Sequence, residues 1–290
     1  MFDNIFAAIE KWMRELLTGM VESNMSTMFT DVNEKTSEIA AQVGRTPQNW
    51  NSSVFSMIQN LSESVVVPIA GIIITLVLCY ELISMLTERN NLHDVDTWMF
   101  FKYFVKAWVA IYLVSNTFTI TMAVFDVGQS VVNSASSIIN GETAIDVSSL
   151  SMQMQAAMAT MEIGELVVLA LETFLVSFCM KIMSVVITVI VYGRMIEIYL
   201  YTSLAPIPFA TMSNREWGHV GTNYFRGLFA LAFQAFLMMV CVAIYAALIS
   251  SVRISSNMHS ALIGVAAYTV ILCFSLMKTG SLSKQIFGSH

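Results

Sequence analysis

TFLVSFCMKIMSVVITVIVYGRMIEIYLYTSLAPIPFA, residues 173–210, is the stretch that decides the fold. Between Thr173 and Gly193 the only charge is Lys181, in a run of about the ~20 residues that cross a bilayer as a helix. Arg194 and Glu197 follow one helical turn apart, then Tyr199-Leu200-Tyr201, then Pro206 and Pro208. Pro208 has no N–H to donate and clashes with the turn before it, while Ile207 is driven away from helical angles. The helix is therefore predicted to end near Leu204. Ser213 and Glu216 stand at capping-box spacing, which predicts a new helix start there. A membrane helix, a hard stop and a restart predict an all-α integral membrane protein with several spans.

Composition agrees. Of 290 residues, 56% are hydrophobic and 12% charged, against ~25% charged in an ordinary soluble domain. The formal charge of −6, with scattered basic residues, speaks against a nucleic-acid surface built from clustered Lys and Arg. Cys79, Cys179, Cys241 and Cys273 all fall in apolar runs, where they read as small buried hydrophobes and not as disulfide or zinc ligands. Residues 1–18 interleave charges with apolar residues, so no secretory signal is expected there. His93, Asp94 and Asp96 share a polar loop and are expected to be solvated. Phosphate-loop, His-Glu-x-x-His and Gly-x-Ser-x-Gly patterns are missing from the sequence, and its histidines fall in loops or at the end. Neither enzymatic activity nor a cofactor or metal is expected.

Taken in order, Phe2, Ile5, Phe6, Ile9, Trp12, Met13, Leu16, Leu17 and Met20 recur at helical steps, opposite Asp3, Glu10, Lys11 and Glu15. This amphipathic helix either lies among lipid headgroups or packs on the protein's own spans or a neighbouring subunit. Residues 23–53 read as a polar connection with short helical pieces and a turn at Gly44–Pro47, and Trp50–Leu61 as a second, weaker stripe. Residues 1–64 are thus expected outside the bilayer or at its surface. Spans are predicted over Val65–Leu86, with Pro68 in the opening turn, and over Tyr103–Phe125, which together form a segment from 65 to 125. Glu81 and Lys106 are expected to snorkel, Trp98 and Trp108 to sit at the interface. Asn116, Thr117, Thr119 and Thr121 suit helix–helix hydrogen bonding or a wet cavity. Residues 126–165 form an acidic loop with no Lys or Arg and with Met152, Met154, Met158 and Met161. The remainder, 166–290, holds the quoted span, Tyr224–Ser250 with Gln234 inside it, Ala261–Met277, and a tail with Lys278 and Lys284.

Basic residues of short loops mark the cytoplasmic side. Arg89, Lys102 and Lys106 lie between spans one and two, and Arg194, Arg215 and Arg226 surround the proline break. About five spans fit best, with the N-terminus outside, the C-terminus cytoplasmic, and Pro206 and Pro208 in a re-entrant or interfacial segment. Arg194, Glu197, Arg215 and Arg226 then anchor the break at the inner face. Arg253, Lys11, Arg14, Lys35 and Arg45 depart from this layout.

Charge placement supplies the candidate functional residues. Glu162, Glu165 and Glu172 occupy one sector of a helix face, and Lys181 is half a turn out of phase with Glu172. Lys181 lies roughly ~12 Å inside the span by helical rise, where a lipid-exposed charge costs at least ~2.5–3.5 kcal/mol. With Gln234, these residues either line a polar lumen or oligomer interface, or Lys181 snorkels from a span shifted toward its C-terminal side.

The run from Arg194 through Ala210, followed by Asn214-Arg-Glu-Trp-Gly and a long apolar span with Gln234, resembles the TrbL-like family of polytopic membrane proteins of conjugation machines, the type IV secretion systems. The resemblance covers roughly residues 162–277. It implies a non-enzymatic, oligomeric subunit of a DNA-transfer channel in the inner membrane of a bacterium. Its partners would be further copies of itself, an ATPase, other secretion subunits and membrane lipids, with relaxase-bound DNA met indirectly. Many such proteins carry a long polar C-terminal tail, and residues 278–290 read instead as the short tail expected of a compact version. A small-solute transporter or ion channel also uses a broken helix and a midplane charge, but the two halves show no repeat.

Overall fold

The computed structural model describes residues 2–87, 97–139, 147–214, 216–252 and 258–289. Its ordered elements are all helical among the described residues: α1 (Phe2–Val43), α2 (Pro47–Trp50), α3 (Ser52–Leu61), α4 (Val67–Thr87), α5 (Thr97–Ser115), α6 (Thr117–Ile139), α7 (Val147–Met158), α8 (Ile163–Ser203), α9 (Pro206–Thr211), α10 (Gly218–Ser250) and α11 (Met258–Phe287). Among the described residues, five helices are long and apolar enough to cross a membrane: Ser52–Thr87, Thr97–Ser115, Ile163–Ser203, Gly218–Ser250 and Met258–Phe287. The His93-Asp94-x-Asp96 loop, the turn at Asn140-Gly141, Arg215, Arg253 and His290 lie outside the described residues.

The chain divides into two compact units. The first comprises Met1–Val43, Ser134–Val191 and Met238–Lys278. Its main departure from expectation is α1, which continues unbroken to Val43 where a polar connection was expected. Val21, Met25, Met28, Val32, Ile39 and Val43 are buried, and their three- and four-residue spacing gives the polar segment one continuous apolar seam. Lys35 falls in that seam. Its Nζ donates to Glu38 Oε2 at 2.5 Å and to Thr188 Oγ1 of α8 at 3.0 Å. Arg14 Nη1 donates to Met161 O at 2.8 Å, just ahead of α8. The partners are 147 residues apart at Arg14 and 153 at Lys35, so α1 runs parallel to α8. Asp31, Val32, Lys35, Thr36 and Ile39 share a cavity of ≈ 20 Å³ with Met180, Ser184 and Ile187 of α8, Tyr245 of α10 and Thr269 and Leu272 of α11. The second half of α1 is therefore level with the apolar stretch of α8, whereas the sequence pattern assigned it to the exterior. Gln155 of α7 donates to Glu22 at 2.6 Å, and Met154 and Met158 are buried, as gap-filling methionines are.

The second unit comprises Gly44–Asn133, Tyr192–Leu237 and Thr279–His290. Thr46 caps α2 with Pro47 at its first position, and the Asn51 side chain caps α3 by accepting from Val54 N at 3.1 Å. A π-helical turn, Ser62–Val66, joins α3 to α4. One wide turn just ahead of Pro68 gives room where the proline N–H is missing, so the helix begins at Ser52 and not at Val65. The predicted second span is broken at Asn116 and moves toward the N-terminus. Thr117 Oγ1 donates to Leu113 O, Thr121 Oγ1 to Phe118 O and Asn116 Nδ2 to Tyr112 O. These are local bonds of three or four residues: Asn116 and Thr117 tie the break back to the last turn of α5, and Thr121 bonds within α6, as side chains that compete with backbone bonds do.

Glu81 and Lys106, expected to snorkel separately, pair with each other across α4 and α5 at 2.5 Å. The Glu81 side chain is only 15% exposed. Lys106→Met, which strands that carboxylate, is expected to cost about 1–2 kcal/mol after discounting for partial solvation. The double variant Glu81→Gln/Lys106→Met should regain most of it. Thermal unfolding in detergent reads the difference, and equal losses in single and double variants would refute the pair.

Candidate functional site

The proline break lies wholly in the second unit. α8 ends at Ser203, where Thr202 Oγ1 donates to Ile198 O and Ser203 Oγ to Leu200 O. Pro206 opens α9 at its first turn, where a missing N–H costs least. Ala205, Phe209 and Ala210 are buried against Ala70, Ile74 and Leu78 of α4 and Ala110 and Val114 of α5. The corner is a packed joint, with Pro206 buried inside it.

α10 returns alongside the end of α8. Tyr201 and Tyr224 stack with ring centres 4.4 Å apart at 6°. Each hydroxyl donates to the other's backbone carbonyl, Tyr224 Oη to Tyr201 O at 2.7 Å and Tyr201 Oη to Tyr224 O at 3.2 Å. Gly221 faces the corner so closely that a Cβ there would lie 2.5 Å from Pro208 O and closer still to Met212 Cγ. The restart is capped by Asn214, not by the Ser213–Glu216 box. Asn214 Oδ1 accepts from Glu216 N at 2.7 Å and Trp217 N at 3.1 Å, the N–H groups that a cap serves. Glu216 instead accepts from Tyr80 Oη at 3.0 Å, and Tyr80 stacks on Trp217. An apolar groove of ≈ 450 Å³ lies at the corner, lined by Glu197, Leu200, Tyr201, Leu204, Ile207, Pro208 and Tyr224.

Among the anchor residues, Arg194 is 7% exposed. Its Nη2 donates to Leu231 O at 3.3 Å, and its buried Nε has no partner. Glu197 pairs with Lys284 at 3.0 Å, and α11 carries Lys278 and Lys284 within the helix where a tail was expected. Arg226 is exposed. Gln234 is buried, with Nε2 3.4 Å from Thr279 Oγ1 and Oε1 unpartnered.

The other candidates lie in the first unit and are not gathered at one point. Glu162 N donates to Glu165 Oε2 at 3.1 Å, so this pair closes the start of α8. Glu172 is paired with His259 at the start of α11. Lys181 is exposed, between the exposed Phe178 and Val185.

The corner is thus a buried, proline-closed joint between apolar helices. The family model described as TrbL/VirB6 plasmid conjugal transfer like protein matches residues 32–206, more than half of the chain. The chain belongs to the TrbL/VirB6 family. It is a multi-pass membrane subunit of conjugal transfer and type IV secretion machinery, working in a complex with other subunits. The TrbL/VirB6 match takes in residues 32–43 at the end of α1, which the motif-based resemblance had not covered, and ends at Pro206, the first residue of α9. No curated protein and no solved structure matches the chain.

Proposed function

We propose that this TrbL/VirB6 protein associates with itself in the inner membrane of a bacterial donor and forms part of the translocation path, beside a transfer ATPase. The Arg194–Arg226 region and the C-terminus lie on the cytoplasmic side, and the N-terminus lies on the outer side. Lys181 is the observation that carries this reading. It sits well inside α8 among side chains that face outward, and no hydrogen bond or ion pair holds it among the described residues. A cation left against lipid near the bilayer centre costs at least ~2.5–3.5 kcal/mol. We assign it to water in a shared lumen or to a group on a neighbouring chain, against the alternative that it snorkels from a span shifted toward the C-terminal side of α8.

Deleting the gene from a donor strain is expected to abolish plasmid transfer while growth stays normal, and restoring the wild-type copy should return it. A Lys181→Leu copy at equal membrane level should not restore transfer, and its mass in detergent should fall from a multiple of the chain to about the single-chain 32.2 kDa. Transfer that survives the deletion overturns the function. Transfer and mass both unchanged by Lys181→Leu overturn the role given to that side chain.

A further inference from the structure

The same unit holds a second charge in the same situation as Lys181. Glu34 of α1 is exposed, and no hydrogen bond or ion pair holds it among the described residues. Its neighbours on α1 share one cavity with Met180, Ser184 and Ile187 of α8, and the adjacent Lys35 reaches Thr188, so Glu34 and Lys181 lie within one to two helical turns of each other in depth. The surface around each differs. On either side of Glu34, α1 exposes Ser23, Thr27, Thr30 and Ser37, small residues at three- and four-residue steps that let another helix approach closely. Thr27 Oγ1 donates to Ser23 O of its own helix, so that hydroxyl needs no outside partner. Around Lys181, α8 exposes the bulky Phe178, Ile182 and Val185. Nearer its start, α1 exposes the bulky Ile5, Phe6, Ile9 and Trp12 among charged residues, so the strip of small Ser and Thr side chains belongs to the part level with the apolar stretch of α8.

We propose that a second copy of this chain covers these surfaces, with Glu34 of one copy paired to Lys181 of the next. Symmetry about an axis along the bilayer normal keeps depth unchanged from copy to copy, so two groups close in depth within one chain are as close in depth between chains. The bulky side chains beside Lys181 then rest on the flat Ser/Thr face beside Glu34, and each charge finds its opposite where lipid offers neither water nor a counter-ion. The inference rests on the self-association proposed above and names the contact that makes it.

Two measurements in native membranes test it. In a background with Cys79, Cys179, Cys241 and Cys273 replaced by Ser, Glu34→Cys/Lys181→Cys should form a ladder of disulfide-linked multimers on copper–phenanthroline oxidation. Neither single variant should form more than a dimer. Charge reversal adds a functional readout: Glu34→Lys and Lys181→Glu should each weaken association roughly a hundredfold, since a like-charge juxtaposition costs several kcal/mol. The double reversal should restore both the oligomer and transfer. A disulfide formed only within one chain, no disulfide at all, or a double reversal no better than the singles would overturn the pairing. If wild-type protein extracted in mild detergent has the single-chain mass, self-association itself fails. An oligomer of normal mass that does not cross-link sinks this contact alone.

Discussion

Gly221→Ala is expected to open the proline corner and abolish transfer. The added methyl would lie 2.5 Å from Pro208 O and closer still to Met212 Cγ, nearer than any real carbon contact. The methionine is flexible and can swing aside. Pro208 O cannot, because the proline rings fix the backbone at Pro206 and Pro208 and Phe209 and Ala210 are buried against α4 and α5. Either α9 lifts from its bed or α10 tilts away, and the second movement breaks the Tyr201–Tyr224 stack. Overpacking of this kind costs 1–3 kcal/mol; with backbone as the obstacle, the loss should reach about 3 kcal/mol. Gly193→Ala is the control, because nothing lies within 4 Å of its Cβ position in α8. There the smaller entropy loss of alanine should stabilise by about 0.5–1 kcal/mol. Thermal unfolding in detergent and donor transfer frequency together decide it. A Gly221→Ala protein as stable as wild type would mean that α9 and the start of α10 are not packed as described. Adding Met212→Ala should recover only part of the loss, since it leaves the Pro208 carbonyl in place.

What the sequence revealed and what it hid follow from how far each signal reaches. Apolar length and proline chemistry act locally, so the quoted stretch placed the end of α8 within a residue of Ser203. α1 was hidden because its apolar residues occupy one narrow seam, Val21 to Val43, while Ser, Thr and Glu fill the outer face and dilute the average. The spacing was there to be read, but a single stripe does not say that three membrane helices lie behind it. Glu81 and Lys106 are 25 residues apart, and only the α4–α5 hairpin makes them partners. The restart near Ser213 was placed within a few residues, yet the capping group is its neighbour Asn214. Motif spacing could not choose between two adjacent capping residues. Reciprocal bonds between Tyr201 and Tyr224 depend on the chain doubling back, and no local pattern announces them.

Arg194→Met is expected to stabilise the isolated subunit and still to abolish transfer. A guanidinium carries five N–H donors. Here Nη2 reaches Leu231 O at 3.3 Å, Nη1 is 3.8 Å from the weak acceptor Met195 Sδ, and buried Nε has no partner. The nearest acid in sequence, Glu197, is held by Lys284. Burying a charge with so few acceptors is unfavourable, and replacing buried ionic groups by apolar side chains of similar volume often stabilises by 1–4 kcal/mol. Methionine fits the shape and removes the charge, so the unfolding temperature in detergent should rise. A residue that weakens its own fold needs another reason to be there, and the assembled machine supplies one if a neighbouring subunit or a lipid phosphate completes the hydrogen bonds of the guanidinium. Arg194→Lys should not rescue transfer, because an ammonium lacks the planar fork that bonds two acceptors at once. If Arg194→Met instead lowers the unfolding temperature, the subunit itself satisfies the guanidinium, and Arg194 belongs to the fold and not to the assembly.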